Sequence, residues 1–104
     1  MLLITTEQIP GKEVEFLGIV EGSMVQSVHV GKDFLNGLKT LVGGELTSYT
    51  EMMEDSRRIA TERMMEQAQK RGADAVLGVR YTTSSIMQGS SEVLAYGTAV
   101  RFVK

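Results

Sequence analysis

An α+β fold is predicted by three features of the 104-residue sequence. Period-two apolar patterns occupy both of its ends, helical spacing occupies the middle, and glycine-containing turns punctuate the changes of period. The order reads β-β-α-α-β-β: an antiparallel sheet packed against one long and one short helix, in a single domain over residues 1–104.

Leu2 to Thr5 is a short apolar run that ends at Thr6-Glu7-Gln8 and reads as the first strand. Ile9-Pro10-Gly11-Lys12 is a turn, because Pro10 fixes φ and Gly11 supplies a positive φ. From Glu13 to Val30 the pattern alternates. Val14, Phe16, Val20, Met24 and Val28 share one parity, and Leu17, Ile19 and Val25 share the other with mostly polar neighbours. That is a long strand, in which Gly18 or Gly22 marks a bulge or bend. Phe34, Leu35, Leu38, Leu41 and Val42 then fall at helical spacing, and Gly43-Gly44 closes this short helix. Gly37 weakens it by about 1 kcal/mol.

Ser48 to Arg71 carries the strongest helical signal. Ser48-Tyr49-Thr50-Glu51 fits a capping box, Lys70 and Arg71 suit the negative end of the helix dipole, and Gly72 is a natural C′ residue. Its apolar stripe runs through Met52, Ser56, Ile59, Ala60 and Met64, with Met53 and Ala68 at the edge. Small residues there allow close approach to a sheet. Ala75 to Thr83 is a strand, Met87 to Ser91 a turn, and Glu92 to Val103 the last strand, which together make a hairpin. The last strand is largely apolar or small on both parities, so both of its faces need cover. One helix layer covers one face. A second sheet, the short helix or another subunit must cover the other.

Composition excludes several function classes. A hydrophobic share of 42% against 23% charged is that of a folded chain rather than a disordered tail. A net charge of −2 argues against nucleic-acid binding driven by phosphate neutralisation. The absence of cysteine removes disulfides, thiolate metal centres and thiol nucleophiles. No export signal and no run of about 20 apolar residues is present, so a cytoplasmic location without membrane contact is expected.

Several stretches resemble a known family. They are Gly43-Gly44, Tyr49-Thr50-Glu51-Met52, Ala60-Thr61-Glu62-Arg63-Met64, Gly72-Ala73-Asp74-Ala75-Val76-Leu77-Gly78-Val79-Arg80, and the ending Glu92 to Val100 with Tyr96-Gly97-Thr98-Ala99-Val100. Together with Thr5-Thr6 and Gly18-Ile19-Val20, they are similar to the small bacterial YbjQ-like proteins, also called UPF0145 or DUF74. The resemblance implies a compact α+β subunit in a homopentameric ring. It also implies heavy-metal binding, with no established activity and no agreed catalytic residues.

The candidate functional residues are few. A soft metal wants thiolate or imidazole, and this chain offers one imidazole, His29, which serves only if ring symmetry brings several copies together. Methionine thioethers at Met52-Met53 and Met64-Met65 offer a softer alternative, but their helical spacing suits packing. Glu51, Glu54 and Asp55 lie within one helical turn, a spacing able to hold a hard divalent cation or simply to complement the helix dipole. Arg63 falls near the middle of the helix stripe between Ile59 and Gln67. It is read as a buried ion pair with Glu92, Asp74 or a neighbouring subunit's carboxylate, or as an anion contact. With one histidine and no Gly-x-Ser-x-Gly elbow, no nucleophilic triad can be nominated. The leading expectation is an oligomeric binding or scaffold protein. A metal-binding module and a binder or enzyme for small anionic ligands at subunit interfaces are the alternatives.

Overall fold

The computed structural model describes residues 1–27 and 47–103. Strand β1 (Leu2–Leu3) and strand β2 (Val14–Ser27) precede helix α1 (Thr47–Lys70), and β3 (Ala75–Met87) and β4 (Ser90–Phe102) follow it. The four strands form one sheet in the order β1-β3-β4-β2. The short helix expected over Gly31–Val42, the Gly43-Gly44 stop and His29 lie outside the described residues.

The expected antiparallel sheet is corrected to a mixed one. β1 runs parallel to β3, with Leu2 opposite Ala75 and Leu3 opposite Val76, while β4 is antiparallel to both of its neighbours. The cause lies in residues 4–13. This segment does not fold β1 back onto β2 but leads from one edge of the sheet to the other. Ile4 and Ile9 pack against the buried Ala75, Leu77 and Val100 on the way, with Val14 and Phe102 beside them. Partial burial of the two isoleucines favours this course over a local hairpin.

The expected hairpin is present. β3 and β4 pair through a two-residue connection, Gln88-Gly89, with Gly89 at φ 77°. Pairing with β4 carries β3 through Thr82-Thr83-Ser84-Ser85 to Met87, past the point where its apolar pattern ends.

Both glycines singled out in β2 matter, for different reasons. The β2–β4 register shifts between Phe16 and Gly18, and Gly18 sits at φ 101°, a bulge. Gly22 is the point where α1 touches the sheet. A Cβ there would lie 2.3 Å from the Ala60 carbonyl oxygen and 2.3 Å from the Met64 nitrogen.

Helix α1 begins at Thr47, which places Ser48 inside its first turn rather than at its cap. It ends at Lys70, with Gly72 as the expected C′ residue. The Gly72 amide donates to the Gln69 carbonyl (3.0 Å) and the Ala73 amide to the Ala68 carbonyl (3.1 Å), a Schellman pair with Gly72 at φ 76°. The buried stripe is Ser56, Ala60, Met64 and Ala68, facing Val20, Val76, Val79, Val93, Ala95 and Ala99. Each fully buried valine here contributes about 1.5–3 kcal/mol. Ser56 satisfies its hydroxyl by donating to the Met52 carbonyl at 2.9 Å.

One turn away from that stripe, three side chains of α1 cover the outer edge of β2. Arg63 donates to the Ser23 carbonyl (2.7 Å), Gln67 accepts from the Glu21 amide (2.7 Å), and Arg71 donates to the Ile19 carbonyl (2.7 Å). Residues four apart on a helix meet residues two apart on a strand, and each bond occupies a backbone group that sheet pairing leaves open. Arg63 is therefore exposed, bonded to a carbonyl and near the Met24 sulfur, and in no ion pair with Glu92 or Asp74.

Candidate functional site

Two bulges bracket strand β4 at one level of the sheet. On one side Gly18 of β2 lies opposite Ala99. On the other, the β3 register shifts between Leu77, opposite Thr98, and Arg80, opposite Tyr96, with Gly78 at φ 60°. The amides freed by this second bulge are not wasted: Gly78 donates to the Thr6 carbonyl (2.8 Å) and Val79 to the Ile4 carbonyl (2.9 Å). A bulge re-aims the side chain that follows it. Here that side chain is Arg80.

A cleft of about 530 Å³ opens between these bulges and the segment after β1. Leu77, almost fully buried, and Phe16 give it an apolar part, and Thr98 and Gln8 add a hydroxyl and an amide. Arg80 and Glu7 bring opposite charges to the same space. The volume is in the range of small-molecule sites, as is the mixture of apolar wall and few polar groups. Arg80 is held in place by donating from one guanidinium nitrogen to the Thr5 carbonyl (2.9 Å) and the Val79 carbonyl (3.0 Å). Its other guanidinium N–H groups make no hydrogen bond among the described residues. A planar fork anchored at one corner suits a carboxylate or phosphate. Glu7 and Arg80 do not form an ion pair with each other.

The cleft continues into open sheet surface. On β4, Val93, Ala95, Gly97 and Ala99 are buried, and the cluster facing α1 includes Val93, Ala95 and Ala99. On the opposite parity Val100 and Phe102 are packed with Ile4, Ile9 and Val14, whereas among the described residues Leu94 and Tyr96 belong to neither core cluster. Beside them on β2, Phe16 is 67% exposed and Ile19 70%, with Val25 also exposed. The expectation that the last strand presents a second apolar face thus holds for the upper part of this sheet.

Those residues nominated from sequence that the structure describes do not converge. Glu51 and Glu54 are exposed on the first turns of α1, and Asp55 pairs with Arg58 at 3.6 Å. Arg63 covers the sheet edge, and none of these lines the cleft. Among the described residues no three of His, Cys, Asp or Glu come together as a metal site. Arg80, Glu7, Gln8, Phe16 and Thr98 were not nominated. The available signal was Gly78, a lone glycine inside a strand pattern, since such a glycine marks a bulge.

Comparison with known proteins bears on the whole chain. A family model described as "Putative heavy-metal-binding" matches residues 1–103. A UPF0145 protein of Clostridium novyi is 59% identical over 99% of this chain and its own full length. A UPF0145 protein of Vibrio parahaemolyticus is 57% identical with both chains fully covered. Another, of Thermotoga maritima, is 55% identical over all of this chain and 99% of its own. A crystal structure of a DUF74 protein of unknown function from Pediococcus pentosaceus superposes with a TM-score of 0.72 over 98% of this chain and 97% of that one. At 15% identity it supports the fold alone.

The donor set fits a heavy metal poorly. The chain has no cysteine, its one histidine lies outside the described residues, the Met64 and Met53 thioethers are packed in the helix–sheet core, and the acidic residues at the start of α1 are hard donors on an exposed face that form no metal cluster among the described residues. Full-length matches at more than half identity nonetheless leave no doubt about kinship, and the chain belongs to the YbjQ-like family, UPF0145 or DUF74.

Proposed function

We propose that the protein is a homo-oligomeric binding protein whose copies cover the open sheet face, and whose cleft at the two bulges takes a small anion-bearing molecule. The observation that carries this reading is that, among the described residues, no core cluster takes in Phe16 and Ile19, two large apolar side chains at 67% and 70% exposure beside an anchored arginine. Large exposed apolar side chains beside a cleft favour an interaction site. The outer edge of β2 is blocked by α1, so face packing, rather than strand addition at β2, joins the copies. A ring of five is the arrangement that the family resemblance implies, and a head-to-tail contact closes into such a ring.

Sedimentation velocity at micromolar concentration tests the assembly. The wild type is expected to sediment as a pentamer, and Ile19→Arg and Val25→Arg to shift it toward smaller species without unfolding. A monomeric wild type would overturn the reading.

A further inference from the structure

We infer that the ligand of the bulge cleft is a small zwitterion with an apolar body, of the chemical class of an apolar amino acid; this rests on the proposal that the cleft is a binding site. Two opposite charges line one cavity without neutralising each other. Arg80 is prevented from swinging toward Glu7 because Thr5 and Val79 hold its guanidinium by their carbonyls. Glu7 is exposed and takes part in no ion pair among the described residues. A purely anionic ligand would be attracted by Arg80 and repelled by Glu7 within the same cleft. A purely cationic one would meet the reverse. A molecule with a carboxylate for the Arg80 fork and an ammonium for Glu7 satisfies both. Its apolar part would lie on Leu77 and Phe16, the large apolar side chains of the lining among the described residues.

Scale agrees with this assignment. About 530 Å³ exceeds what a single inorganic anion fills and lies within the range for small organic ligands. The Thr98 hydroxyl and Gln8 amide supply further polar partners for a ligand's carboxylate or ammonium.

Calorimetry on the full chain tests the inference with four probes: L-leucine, L-phenylalanine, 4-methylpentanoate, which lacks the ammonium, and leucine amide, which lacks the carboxylate. The two amino acids are expected to bind saturably, and each truncated probe about tenfold more weakly or worse. Glu7→Gln breaks no ion pair among the described residues and should weaken leucine by a similar factor while strengthening 4-methylpentanoate, whose carboxylate the Glu7 charge repels. Arg80→Gln should abolish leucine binding, with Arg80→Lys restoring part of it and thermal melts confirming that both variants fold. If 4-methylpentanoate binds as tightly as leucine and Glu7→Gln has no effect, the zwitterion assignment fails while the anion site stands. If no probe gives a saturable heat, the cleft itself is refuted as a site for this class. Sedimentation reads assembly separately from either result.

Discussion

A methyl group on Gly22 has nowhere to go, because the atoms it would meet are helix backbone rather than a flexible side chain. Gly22→Ala is expected to push α1 off the sheet and cost about 3 kcal/mol in urea unfolding. Gly72→Ala meets no atom within 4 Å and strains only its own φ of +76°, so its cost should be about 1–2 kcal/mol. Equal losses in the two variants would show that contact with the helix is not what Gly22 provides. At this scale the sequence is informative about where the backbone is unusual and less so about why. Gly18 and Gly22 look alike in a list of residues, yet one turns a bulge and the other admits a helix. Arg63 shows the opposite failure. Its place beside the apolar stripe suggests a buried charge, and only the position of β2 reveals that a row of carbonyls and amides is there to receive it.

Among the elements, the contact between α1 and the edge of β2 has an energetic and a colloidal consequence. Each of the three bonds from Arg63, Gln67 and Arg71 is solvent-accessible and contributes about 0.5–1.5 kcal/mol. The triple substitution Arg63→Ala, Gln67→Ala, Arg71→Ala should therefore leave a folded but weaker protein. It should also uncover the Leu17–Ser23 edge, and light scattering should rise with concentration, because a bare strand edge pairs with others. A variant that stays as soluble as the wild type would refute the protective role. The helix and the hairpin were legible because their signals are local: period, Gly72 as a stop, and a glycine at the tight turn. The parallel pairing of β1 was not. It depends on Ile4 and Ile9 finding Leu77 and Val100, a preference that no window of neighbouring residues contains.

For the whole molecule, the metal question becomes one of symmetry. Glu51, Glu54 and Asp55 are dispersed on one exposed helix face, and a single imidazole per chain binds a soft ion firmly only when several copies share it. Zinc or Cu(I) titration of the assembled protein should therefore respond to His29→Ala and not to Glu51→Gln combined with Glu54→Gln. Saturable heat that survives His29→Ala and disappears with the carboxylates would reverse that assignment. The candidate cleft was invisible at this scale for a related reason: its lining comes from four separate parts of the chain, and its two bulges are aligned only by the register of β4.

The central place of β4 also sets a timetable for biosynthesis. β2 pairs with β4 across residues as far apart as Val14 and Phe102, and β1 waits for Ala75. β2 thus has no partner until β4 is made, and among the described strands the β3–β4 hairpin is the part of the sheet that forms from nearby residues. Nascent chains halted before β4 emerges would carry Val14 through Ser27 as unclaimed, sticky ribbon. The emergence of β4 decides whether the sheet of a newborn copy can close.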